Sequence, residues 1–110
     1  NFDLKPVIDV EPDDNINASQ LKDSVQVFLN FVEARLQVRP IVYTYSNLYE
    51  QHLSSMNELF WVAKYSNNCP AMADENVIIW QFSETGNVDG IGVDVDLNVA
   101  KESFFEKISR

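Results

Sequence analysis

Lys5-Pro6-Val7-Ile8-Asp9-Val10-Glu11, closed by Pro12, is the stretch that decides the fold. Val7, Ile8 and Val10 supply β-branched residues over a strand's length, and the following proline stops the ladder. On a strand, residues i and i+2 point to the same face with Cα atoms roughly 6.5–7 Å apart. Val7, Asp9 and Glu11 therefore share one face, while Ile8 and Val10 turn toward a covering helix. The helix follows soon after. Pro12 to Asn17 is polar and turn-rich, and Asn17 with Gln20 forms a capping box. Beyond it Leu21, Val25, Phe28, Leu29, Val32 and Leu36 recur at spacings of three and four until Arg39-Pro40 ends the pattern.

Further along, Ile41 to Tyr45 reads as a second strand, and Asn47 with Glu50 repeats the capping-box signal for a short helix to about Met56. Leu59 to Tyr65 is an aromatic-rich third strand and Val77 to Ser83 a fourth. Glu84 to Gly92 holds all 3 glycines and reads as a turn or active-site loop. Val93 to Leu97 is a fifth strand, and Lys101 to Ile108 a closing helix. Strand–helix–strand crossovers place successive strands parallel, which makes the fold class α/β, a barrel or an open sheet. No linker or repeat divides residues 1–110, so one domain is expected.

Bulk composition narrows the function classes. A chain of 110 residues that is 45% hydrophobic, with 3 Gly and 4 Pro, buries a core. A net charge of -9 argues against nucleic acid and against an anionic membrane surface as partners. No apolar run approaches the ~20 residues of a membrane span. Cys69 is the one cysteine, so no intrachain disulfide forms, and a packed thiol is a simpler account of it than a nucleophile paired with His52. The chain opens on Asn1 without a signal-peptide pattern, as a processed, cleaved or engineered N-terminus would.

Two carboxylates at the C-terminal end of a parallel strand lie where α/β barrels keep their catalytic groups. An exposed strand end with solvated acids explains Asp9 and Glu11 as well. Asp94-Val95-Asp96 repeats the spacing near the other end of the chain, where a polar hairpin arm is the plain alternative. If the two strands converge, four carboxylates share one mouth. Crowding then holds one in its acid form as a proton donor while another supports positive charge, as glycosidic bond cleavage requires. Metal binding competes, since Asp9, Glu11, Asp13 and Asp14 are dense in oxygen. An EF-hand loop from Asp9 fails, with Asp14 at its glycine position and Gln20 at its glutamate position. Tyr43, Tyr45, Trp61, Tyr65 and Trp80 sit on or beside the strands and serve either as core or as a platform for sugar rings, and Gln81 could add amide hydrogen bonds.

Five of these segments, in order, resemble the C-terminal half of glycoside hydrolase family 25, the lysozymes or N-acetylmuramidases. They are Pro6 to Glu11 with its Asp-x-Glu, Arg39 to Tyr45, Phe60-Trp61-Val62-Ala63-Lys64-Tyr65, Trp80-Gln81-Phe82-Ser83, and Gly90-Ile91 followed by Val95-Asp96-Leu97-Asn98. The resemblance implies cleavage of the β-1,4 bond between N-acetylmuramic acid and N-acetylglucosamine in peptidoglycan, without cofactor or metal. It assigns the proton donor to Glu11, the supporting carboxylate to Asp9, and a late-strand aspartate to Asp96; Asp94 has no counterpart. It further implies a partial TIM-like barrel of about five strands whose N-terminal strands are missing. The chain is then expected to be a fragment, or to be completed by a partner or a second copy, and to act secreted or at the cell wall. A glycan-binding module without catalysis and a metal-dependent hydrolase are the competing readings.

Overall fold

A computed structural model describes residues 4–11 and 17–109. Its five strands are β1 (Val7–Val10), β2 (Ile41–Tyr45), β3 (Phe60–Ala63), β4 (Val77–Gly86) and β5 (Val95–Ala100). The helices are α1 (Ala18–Leu36), α2 (Ser46–Leu48), which runs into a π-helical turn over Tyr49–Leu53, and α3 (Phe104–Ile108). A 3-10 turn spans Pro70–Ala73. The strands lie in sequence order in one sheet, β1 to β4 parallel and β5 antiparallel to β4. This is the α/β fold class expected, a partial TIM-like barrel that does not close.

The alternation read from β1 holds. Ile8 and Val10 are buried, whereas Val7 and Asp9 are exposed on the opposite face. α1 covers the buried face, and the reciprocal cap forms as the sequence indicates. Asn17 Oδ1 accepts from the Gln20 amide at 2.9 Å, and Gln20 Oε1 accepts from the Asn17 amide at 3.4 Å. Val25 and Leu29 carry α1 into the sheet, each worth about 1.5–3 kcal/mol of apolar burial. Phe28 belongs to the same periodic stripe but is half-exposed beside Val27 and Phe31. Buried Val42, Phe60 and Val62 meet Tyr49, Leu53 and Met56 in the same helix-side core.

Several boundaries differ from the sequence reading. The second helix starts at Ser46 with no side-chain cap, so Asn47 lies inside it and the Asn47–Glu50 capping box does not form. Burial of Leu48, Tyr49 and Leu53 sets that turn, and the backbone widens to π geometry to seat them. β3 ends at Ala63, so Lys64 and Tyr65 follow the strand rather than belonging to it. β4 continues to Gly86 because β5 pairs with it that far, and β5 is displaced to Val95–Ala100. α3 is confined to its last five residues.

The other sheet face is concave. One cavity of about 390 Å³ is lined from all five strands, by Val7, Ile41, Trp61, Ile79, Asn98 and Ala100, and it is floored by Phe104 and Ile108 of α3. The segment before β1 accepts α3 as a brace: the Lys5 amide donates to the Ile108 carbonyl at 2.9 Å, and Leu4 bridges to Ser109. The chain thus curls from β5 back to the foot of β1.

Candidate active site

The parallel strands end together, and their C-terminal ends form one rim. Asp9 is the third residue of β1, and Glu11 follows the strand's last residue, Val10. Both carboxylates are exposed. Thr44 on β2 pairs with Val10 and donates its hydroxyl to the Val10 carbonyl at 2.9 Å, a buried bond that pins the strand just before Glu11. β5 runs the opposite way, so its first residues lie beside the last residues of β4. Asp96, the second residue of β5, therefore opens on the same rim.

Register assigns the aromatic side chains. Asp9 pairs with Tyr43, Tyr43 with Trp61, and Trp61 with Ile79, all on the concave face. Tyr45, Ala63 and Gln81 form the next lane toward the rim. Tyr43 meets Trp61 edge to face at 5.1 Å and Tyr45 at 6.3 Å, and Tyr45 meets Tyr65 at 6.4 Å. Four of the five aromatics expected along a cleft are thus one continuous cluster. Trp80 is not part of it. It pairs with Val62 on the helix-side face, packs against that core, and donates its indole N–H to the Lys64 carbonyl at 2.8 Å.

Gln81 is buried at the centre of this cluster. Its Oε1 accepts from the Tyr43 and Tyr65 hydroxyls, both at 2.7 Å. Ala63 lies between Tyr45 and Gln81 in register, and its small side chain leaves room above β3 for both phenols. Burial raises the Tyr43 hydroxyl well above the ordinary phenol range, and its contact with Tyr65 and the charges of Tyr45 and Asp9 add to the shift. Burial likewise raises Tyr65; the charges of Tyr45, Glu84 and Asp96 reinforce it, while its contact with Tyr43 opposes it. Carboxylates of both sheet edges therefore act on the one phenol pair. β1 and β5 are four strand spacings apart, an arc of roughly 19 Å at about 4.8 Å each. Asp9 and Asp96 therefore belong to opposite edge strands of the sheet.

Asn98 and Glu84 were not among the residues expected at the site, Asn98 being named only within the last of the family segments. Asn98 accepts the Trp61 indole N–H at 2.8 Å, and only the antiparallel register of β5 brings it there. Its two-residue spacing from Asp96 was the available signal. Asp94 precedes β5 in the exposed loop. Cys69 is buried in the helix-side core. Asp13 and Asp14, on which the metal reading leans, lie outside the described residues.

The model of the glycosyl hydrolases family 25 matches residues 1–91. The uncharacterized protein YegX of Escherichia coli O6:H1 is 36% identical over 99 residues, 88% of this chain and 36% of that protein. The autolytic lysozyme of Clostridium acetobutylicum is 32% identical over 105 residues, 93% of this chain and 32% of its own length. Among solved structures, the spore cortex lytic enzyme SleM of Clostridium perfringens superposes with a TM-score of 0.78 at 26% identity, over 97% of this chain and 40% of that one. The chain spans about a third of the length of the curated relatives it matches. With the family pattern running through most of the chain and the rim of its strands built as described, this chain belongs to glycosyl hydrolase family 25.

Proposed function

We propose that the chain is the C-terminal portion of a muramidase barrel that hydrolyses the β-1,4 bond between N-acetylmuramic acid and N-acetylglucosamine in peptidoglycan. The observation that carries this is the opening of Asp9, Glu11 and Asp96 on one rim around an aromatic trough, in a family 25 chain. Glu11 donates its proton to the glycosidic oxygen as the bond to the anomeric carbon breaks. Asp9 and Asp96 support the positive charge that develops on the sugar, and water then supplies the new hydroxyl while its other proton returns to the Glu11 carboxylate. Tyr43, Tyr45, Trp61, Tyr65 and Gln81 face the glycan, and Trp80 stiffens β4 from behind. No step calls on a cofactor or metal.

The open edge of β1 and the uncovered trough support completion by further strand–helix units, or by a second copy of the chain. The lytic names of SleM and of the Clostridium acetobutylicum lysozyme support action at the cell wall, by a secreted or wall-associated protein.

The test is release of reducing ends from purified peptidoglycan. In the full-length enzyme, Glu11→Gln lowers turnover by about 10²–10⁴-fold, the usual worth of a positioned general acid, with the thermal midpoint unchanged. Normal turnover in that variant overturns the assignment. Loss of turnover in EDTA would favour the metal-dependent reading, and binding to peptidoglycan with no release would favour a glycan-binding module.

A further inference from the structure

Thr44 and Gln81 are the two buried polar residues of the described core. Thr44 is spent on the Val10 carbonyl, and Gln81 is different. An amide oxygen has two lone pairs, and the Tyr43 and Tyr65 hydroxyls take both. The phenols come from two different elements on the β3 side of β4, Tyr43 from β2 and Tyr65 from the segment after β3. Both hold their protons above the ordinary range, so both are donors. A donor pair of this kind fixes the amide with its oxygen toward the phenols. Turning it over would set its NH₂ against two hydroxyls and leave each phenol proton seeking another acceptor.

The other end of the amide is then committed as well. Nε2 donates to none of the described residues, and no side-chain nitrogen or oxygen among them is both sealed from solvent and unpaired. Nε2 therefore keeps access to the trough on the concave face, where Asp9 acts on Tyr43 and Asp96 on Tyr65. The surrounding acids are acceptors. A locked N–H donor among them adds the opposite polarity at one defined point.

We infer that Gln81 is a specificity-determining residue, held by Tyr43 and Tyr65 as positioning residues, whose Nε2 recognises the carbonyl oxygen of a sugar N-acetyl group. This rests on the glycan reading given above. The chemistry separates two forms of the same sugar. An acetamide presents a carbonyl acceptor, whereas the amine left after de-N-acetylation is an ammonium, which only donates and meets the amide N–H head-on. A ring hydroxyl does not discriminate in this way, since it serves as donor or acceptor.

Calorimetric titration of the protein with the N-acetylglucosamine trisaccharide, and with the same trisaccharide stripped of its acetyl groups, tests this. Gln81→Glu keeps an oxygen for both phenols and removes the N–H. It weakens binding of the acetylated sugar by about 10-fold, the worth of one buried hydrogen bond, and narrows or reverses the preference over the stripped form. Should the buried carboxylate prevent folding, Tyr43→Phe combined with Tyr65→Phe leaves the amide in place but free to turn, and the preference falls about 3-fold. That ratio is a readout which general loosening of the cleft does not move. An unchanged preference in a folded variant, with the acetylated sugar still bound, overturns the role of Gln81 alone. Failure of the unaltered protein to bind either trisaccharide overturns the glycan reading and this inference together.

Discussion

Replacing Thr44 by Val tests whether the strand bearing the acid pair is anchored as the structure indicates. Thr44 is fully buried, and its hydroxyl donates to the Val10 carbonyl at 2.9 Å, one residue before Glu11. Valine has the same shape, so the substitution removes the bond and little else. A net hydrogen bond of this kind is worth about 1 kcal/mol, within about 0.5–1.5. For 110 residues, an unfolding entropy of about 2.1 cal/mol/K per residue makes each kcal/mol worth about 4 °C of midpoint. Thermal unfolding followed by circular dichroism should therefore show Thr44→Val melting about 2–6 °C lower. Thr44→Ser keeps the bond and loses one methyl, at about 0.8 kcal/mol for the buried group. The anchoring shows in exchange rather than in the midpoint: the amide protons of β1 should exchange faster in the Val variant than in the Ser variant. A Val variant as stable as the unaltered protein, with β1 exchange unchanged, refutes the idea that this bond holds the end of β1.

The β4–β5 pair offers a second test. A Cβ at Gly86 would lie 2.5 Å from Leu97 Cδ1 and 3.0 Å from the Val95 carbonyl oxygen. Gly86→Ala should cost about 1–3 kcal/mol by overpacking, and combination with Leu97→Ala should recover at least about 1 kcal/mol of that in a double-mutant cycle; strict additivity would refute the close approach. Alkaline pH supplies a third. Burial raises the Tyr43, Tyr49 and Tyr65 hydroxyls, with Asp74 reinforcing the shift at Tyr49. The folded chain thus keeps protons that the unfolded chain releases near pH 10, and stability present below about pH 10 is lost as pH rises beyond it. Denaturant midpoints should fall above that pH, and less steeply in Tyr49→Phe; parallel pH profiles would refute the coupling. For the acid pair itself, Glu11→Gln in the full-length enzyme should cut release of reducing ends by about 10²–10⁴-fold without lowering the melting midpoint.

Much of this molecule was legible along the chain because the relevant forces are local. The Asn17–Gln20 cap depends on residues three apart, and it forms as written. The alternation of Ile8 and Val10 against Val7 and Asp9 is a property of extended backbone, and it holds. The same local logic failed at Asn47 and Glu50, where burial of Leu48, Tyr49 and Leu53 overrides a cap worth about 1 kcal/mol. Trp80 shows a different limit. Val77-Ile78-Ile79-Trp80 is a continuous apolar run, and a strand covered on both faces carries no alternation to say which side a residue takes. Register with Val62 sends Trp80 to the helices, and register with Ala63 sends Gln81 to the trough.

The sequence by itself determined the α/β class, the succession of strands and helices along the chain, and the facing of Ile8 and Val10 away from Val7 and Asp9. Backbone periodicity and short-range capping settle those before any strand finds its partner. Only the tertiary structure decided that Asp96 joins the rim, because that depends on β5 running antiparallel to β4. It alone brought Tyr43 and Tyr65, 22 positions apart, onto one buried amide oxygen. Such contacts depend on strand register and sheet curvature, quantities set by the packing of the whole sheet, which no local stretch of the chain encodes.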